Sequence, residues 1–120
     1  MIFEYDFPWF PQELSPNARA NRYAKNETFQ WYKQQCFYMA QGATPNASSI
    51  HKYAIEVMFY PPCGRKRDLD NCYAAIKAGL DGLAMAIGVD DSQFRPVTLD
   101  FGEKEKGGRI NVKVFKHDKL

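Results

Sequence analysis

The sequence predicts a single α+β domain with elements in the order β-α-β-α-β-β. Four segments alternate apolar and polar residues with period two, the mark of half-buried strands. Two longer segments repeat apolar residues at steps of three and four, the mark of amphipathic helices. Proline, glycine and small polar residues punctuate the joints between them. At 120 residues, with no linker and no internal repeat, residues 1–120 read as one domain. A chain of this size buries roughly two-thirds of its unfolded surface, enough for one modest core.

The first strand covers residues 2–7, where Phe3, Tyr5 and Phe7 alternate with Glu4 and Asp6. Pro8 ends it, and Pro11 and Pro16 mark residues 8–17 as a loop. Phe29, Tyr32, Cys36 and Met39 then set a helix over at least residues 27–40. Gly42 to Ser49 reads as a small-polar connection. Tyr53, Ile55, Val57 and Phe59 define a second strand over 51–60, stopped by Pro61-Pro62. The strongest helical stripe follows: Leu69, Tyr73, Ile76, Leu80, Leu83 and Ile87 place a helix over about 71–87, with Gly88 as its stop. Asp90-Asp91-Ser92 reads as a turn. Val97, Leu99 and Phe101, then Ile110, Val112 and Val114, alternate around Gly107-Gly108, which reads as a hairpin.

The composition excludes several classes. Hydrophobic residues at 45% and aromatics at 15% fit a globular chain rather than a disordered one. Sixteen bases against 14 acids leave a net charge of +2, so any affinity for nucleic acid must come from local patches. Three cysteines without a CxxC, and two distant histidines, give no zinc spacing; reduced thiols in a cytoplasmic setting are expected. No apolar run is long enough to span a membrane. The opening MIFEYDFPWFP carries acids and lacks a basic n-region, which argues against a signal peptide. Asn46-Ala47-Ser48 matches a glycosylation acceptor, read as chance in a chain not expected to be secreted.

The chemistry concentrates in RKRDLDN, residues 65–71. Asp68 and Asp70 flank one leucine, and Asp90 and Asp91 follow the next helix. If Asp91 folds back to Asp68 and Asp70, the cluster repels itself by about 4 kcal/mol per pair at 4 Å and an effective dielectric of 20. A hard divalent cation relieves that. Carboxylates without histidines favour magnesium, with manganese as a substitute, over zinc. Arg65, Lys66 and Arg67 suit phosphate oxygens. A cation beside such a grip is what phosphodiester hydrolysis needs. The plainer alternatives are that Asp70 or Asn71 caps the helix, that the basic run is a solvated loop, and that Asp90-Asp91-Ser92 is only a turn. Lys77, seven residues after Asp70, shares its helix face; it either pairs with Asp81 or lines a cleft with the acids.

RKRDLDN followed by a helix, then DDS and KGGRINVKV, resembles the RusA-like Holliday junction resolvases, often encoded by phages and prophages. The match is strongest over 61–115 and weaker toward DFPWFP and LSPNARANRY. The resemblance implies a mixed sheet flanked by helices and a homodimer that cuts four-way DNA junctions; no protein partner is implied, and no membrane is expected. It implies magnesium held by Asp68, Asp70 and Asp91, with Asp90 as a further candidate ligand, and a catalytic lysine in the following helix. Lys77 is the candidate; the shorter family pattern puts the lysine four residues after the second aspartate, where this chain has Ala74. Arg65, Lys66 and Arg67 are expected to position the DNA backbone, with Arg22, Lys106 and Arg109 as further candidates. Tyr5, Phe7, Trp9 and Phe10 are expected in the core or at a dimer contact rather than as a wedge in the junction. The alternatives are a non-catalytic nucleic-acid-binding module, a related nuclease preferring flaps or other branched DNA, and a structural or regulatory protein without nucleic acid.

Overall fold

A computed structural model describes residues 3–19, 21–41 and 51–119. The expected connection from Gly42 to Ser49, with its Asn46-Ala47-Ser48 triplet, lies outside these residues. The element order is β1 (Phe3–Phe7), α1 (Arg22–Ala40), β2 (His51–Tyr60), α2 (Leu69–Ile87), β3 (Phe94–Phe101) and β4 (Arg109–Lys119), with short 3-10 turns at Gln12–Leu14 and Asp91–Gln93. This is the expected β-α-β-α-β-β order of an α+β domain.

The four strands form one mixed sheet in the order β1-β4-β2-β3. β4 runs antiparallel to both β1 and β2, while β3 runs parallel to β2. The expected hairpin of the last two strands is therefore not formed. The chain leaves β3, crosses the end of β2, and inserts β4 between β2 and β1. Sequence neighbours usually pair, but here Gly102 N donates to Phe59 O at 2.8 Å and Glu105 N to Pro61 O at 2.8 Å, which lays the connection over β2. The loop passes so close that a side chain at Gly102 would enter the Tyr60 ring.

The alternation read from the sequence sorts residues onto two faces. On the covered face, Phe7, Ile110, Phe59 and Phe101 make one cross-strand row, and Tyr5, Val112, Val57 and Leu99 the next. Ile110, Val112 and Val114 are fully buried, and Tyr5 and Phe7 join them in the core. The apolar stripe of α2 packs onto the same core through Ile76, Leu80, Leu83 and Ile87. α1 adds Tyr32, Cys36 and Ala40.

The two helices meet at glycines. A Cβ on Gly79 would lie 3.0 Å from the Tyr32 ring and 3.1 Å from Cys36 Sγ. A Cβ on Gly82 would collide with the Lys33 carbonyl oxygen and come within 3.0 Å of Phe37 N. Backbone cannot retreat as a flexible side chain can, so Gly82→Ala is expected to destabilise the fold by about 1–3 kcal/mol. Gly64→Ala, where nothing lies within 4 Å, is expected to stay within about 0.5 kcal/mol. Urea unfolding of both variants checks this; equal midpoints would contradict the close crossing.

Candidate functional site

β1, β2 and β3 all point the same way, so their C-terminal ends lie along one edge of the sheet. The chain leaves β1 at this edge into residues 8–18 and leaves β2 into residues 61–68. These two loops and the first turn of α2 enclose a cleft of about 590 Å³. Trp9 and Phe10 form one wall, with ring centroids 4.7 Å apart. Pro62, Arg65, Lys66, Arg67, Asp68, Asn71 and Cys72 line the cleft as well.

The walls are pinned. The fully buried Tyr32 donates its hydroxyl to Pro8 O at 2.6 Å, tying α1 to the first loop. Trp9 meets Phe59 edge-on at 6.1 Å, and Gly108 packs so tightly that a Cβ there would lie 2.8 Å from Trp9 Cβ. Arg67 donates to the carbonyl oxygens of Cys63 and Arg65, both at 2.9 Å, and its guanidinium lies 5.5 Å from the Trp9 ring centroid. It thus shapes its own loop and bridges to the aromatic wall. Arg65 and Lys66 are exposed at the cleft. Cys63 is also exposed; hydrogen bonds from the Arg65 backbone and the Arg67 side chain hold its thiol below the ordinary range. Burial pushes the Cys72 thiol up.

α2 begins two residues earlier than the periodicity suggested. Asp68 occupies the N-cap position, and Asp70 and Asn71 lie inside the first turn. The Asp68 side chain makes no capping hydrogen bond, so its carboxylate is not consumed in starting the helix. Among the described residues Asp70 accepts from the adjacent Asn71 N, at 3.1 Å. Both carboxylates are exposed, and both bear on Cys72.

Asp91 lies elsewhere. The chain does double back after Gly88, which adopts the left-handed conformation at φ 79°, but it returns only as far as Asp81. The Asp81 and Asp91 side chains are within hydrogen-bonding reach of each other, with Lys33 and Lys77 nearby. Asp81 is eleven residues beyond Asp70, about 16 Å along the helix axis. Topology explains the gap: Asp68 and Asp70 follow the end of β2, whereas Asp91 precedes the start of its parallel neighbour β3. Among the described residues no three His, Cys, Asp or Glu side chains are grouped to hold a metal ion. The structure thus leaves Asp68 and Asp70 at the start of α2 and sets Asp91 with Asp81, with Lys33 and Lys77 nearby. Two carboxylates remain compatible with magnesium, a hard cation commonly held by one or two of them while waters and substrate phosphate complete its shell.

The other candidates are placed as follows. The Lys77 ammonium lies 5.1 Å from the Tyr73 ring centroid, leaning toward the N-terminal end of α2. Asp90 caps the Asp91–Gln93 turn, accepting from Ser92 N at 3.1 Å and from the Ser92 hydroxyl, while Gln93 Oε1 accepts from Asp90 N. Those Ser92 bonds hold its carboxyl below the usual range. Arg109 pairs with Asp6 at 2.7 Å and Glu105 at 3.1 Å and lies 4.1 Å from the Tyr60 ring centroid. This gives it a structural task, clamping β4 to β1. Arg22 and Lys106 are exposed and outside the cleft lining. Sequence reasoning passed over Asp81 as a cluster member and the Trp9–Phe10 wall as part of a site. The i,i+4 spacing of Lys77 and Asp81 was the only sign of the first.

No protein-family profile matches the chain. It is 29% identical over 110 residues to an uncharacterized protein of Xylella fastidiosa, covering 89% of this chain and 72% of that one. It is also 29% identical over 115 residues to the crossover junction endodeoxyribonuclease rusA of Enterobacteria phage HK97, covering 92% of this chain and 93% of that enzyme. The similarity to the phage enzyme thus spans nearly the full length of both.

Asp81 makes the acidic pair testable by pH. Burial first, and the neighbouring Asp91 second, raise its carboxyl above the ordinary 3.8. The folded state then keeps this proton to higher pH than the unfolded chain does, so stability falls as pH climbs from 3.8 through the raised folded value. Asp81→Asn removes this contribution. Between about pH 4 and about pH 7, thermal melts of the variant should lose less stability than wild type; parallel curves would contradict the pairing.

Proposed function

We propose that this protein is a divalent-cation-dependent, structure-selective DNA endonuclease acting on branched DNA, four-way junctions foremost. One observation carries the reading: a single cleft sets Arg65 and Lys66 beside Asp68, at the start of a helix whose first turn adds Asp70. The bases and the helix N-terminus attract a phosphate. The two carboxylates repel it unless a cation lies between. The similarity to the phage HK97 enzyme supports the same reaction class.

Asp68 and Asp70 would seat the cation, magnesium first and manganese as a substitute. Bound there, it would supply Lewis-acid stabilisation of charge on the phosphoryl oxygens. The chain's own residues position the strand. Arg65 and Lys66 take phosphate oxygens, and Arg67 keeps the loop in shape through its bonds to Cys63 and Arg65. Asp91 and Lys77 enter as a second cluster farther along α2, Lys77 offering charge to a backbone that continues past the cleft. Such contacts position without specifying sequence, so selectivity rests on the branched shape. A homodimer would present two such clefts to a two-fold substrate, at work on DNA in the cytoplasm.

The separation of Asp91 from Asp68 and Asp70 favours one competing reading, a non-catalytic DNA-binding module in which the acids only begin a helix. Asp70→Asn separates the two. The nuclease reading expects junction cleavage to fall at least about 100-fold, since even outer partners of a metal site are worth 10- to 100-fold, with binding kept or tightened. Wild-type protein that binds junctions in magnesium and leaves them uncut would favour the module.

The two-carboxylate seat makes a finer prediction. Asp68→Asn should raise the magnesium concentration needed for half-maximal cleavage by about 10-fold or more, whereas Asp91→Asn should lower the rate and leave that concentration unchanged. Equal shifts in both variants would place Asp91 in the same ligand set.

A further inference from the structure

The cleft holds more than a phosphate needs. Bases alone would grip phosphate oxygens, which only accept hydrogen bonds. Here the aromatic pair Trp9 and Phe10 shares the lining with Arg65 and Lys66, Arg67 lies over the Trp9 ring, and Gln12 and Asn71 line the same space. An amide both donates and accepts, which suits the edge of a nucleobase and is half wasted on a phosphate. The volume of about 590 Å³ is that of a small-molecule site, on the scale of one nucleotide and too small for a duplex. A base can enter it only unstacked, and a strand exchange point offers unpaired nucleotides at low cost.

We propose that this cleft is a base-binding subsite that takes one unstacked nucleotide of the branched DNA. The phosphate lies on Arg65 and Lys66, the base against the Trp9–Phe10 wall, and its edge meets Gln12 and Asn71. The proposal rests on the nucleic-acid part of the reading above and gives it a source of sequence preference, which phosphate contacts alone lack.

The chain has two tryptophans, Trp9 and Trp31. Trp31 is exposed on α1, so Trp31→Phe leaves Trp9 as the sole reporter without touching the cleft. With EDTA present, this variant is titrated with a single-stranded DNA hexamer, with the same hexamer made fully abasic, and with a deoxynucleoside monophosphate. The hexamer is expected to quench Trp9 and to bind roughly 5- to 150-fold more tightly than its abasic twin, the worth of one base–aromatic stack. Some quenching by the monophosphate would place the base recognition within a single nucleotide; quenching by the hexamer alone would assign it to a nucleotide within a strand, and both support the subsite. Equal binding of intact and abasic strands would overturn it, because phosphates would then account for all the affinity. Because the protein is the same in both arms, misfolding cannot mimic either result. The nuclease reading fails separately: base-dependent quenching with junctions left uncut in magnesium keeps the subsite and removes the enzyme. Junction cleavage with abasic strands bound equally does the reverse.

Discussion

The position of β4 organises everything else. It is the last strand in the chain and the second in the sheet, hydrogen-bonded to β1 on one side and β2 on the other. Among the described residues β1 pairs with no other strand. β4 adds the sheet pairing that links β1, which leads into the loop carrying Trp9 and Phe10, to β2, which leads into the loop carrying Arg65 to Asp68. Ile110, Val112 and Val114, each fully buried, hold the strand in place by burying about 1.5–3 kcal/mol of apolar side chain apiece. At its entrance, Arg109 fastens Asp6 of β1 and Glu105 of the preceding loop. Asn111 donates to Glu4 and Asp6 beside it. The Asn111 bond first, and the Arg109 charge with it, keep the Asp6 carboxyl below its usual range.

α2 distributes the charge. Its first turn opens at the cleft, so Asp68 and Asp70 share an edge of the sheet with the basic loop. Ten residues on, the same helix passes α1 at Gly79 and Gly82, and there Asp81 receives Asp91. One helix therefore carries two acidic pairs with different neighbours. The first faces solvent beside bases. The second is partly desolvated between α1 and the Asp91–Gln93 turn, with Lys33 and Lys77 as counter-charges. Like charges this close are stable only when a cation or a proton neutralises them. The first pair is exposed beside bases, and in the second Asp81 holds a proton more readily than an ordinary carboxylate.

Much of this was legible in the sequence. The strand faces followed directly from alternation, because a period of two leaves Phe3, Tyr5 and Phe7 nowhere to point but inward. α2 was legible because its stripe is the core itself. The pairing of β4 was not, since it is decided by contacts across the sheet and not by the Gly107-Gly108 turn. The start of α2 moved because Asp68 takes the extended N-cap conformation, leaving Asp70 inside the helix. The Asp91 distance was hidden for a similar reason: spacing reveals that a chain can double back, but helix packing decides how far. The cleft's aromatic wall lay in a proline-punctuated loop whose Trp9 and Phe10 were expected in the core or at a dimer contact. Its meaning came from Tyr32, whose hydroxyl fixes Pro8 from 24 residues away.

The central proposal is that a divalent cation binds at Asp68 and Asp70, where α2 begins beside the cleft. Paramagnetic manganese tests it directly, through the broadening of assigned amide signals in the intact protein. The account predicts that substoichiometric manganese broadens residues 65–72 and the Trp9 indole first, that magnesium reverses the effect, and that Asp81 and Asp91 respond only at higher concentration. Broadening centred on Asp81 and Asp91, or broadening that magnesium does not reverse, would contradict it.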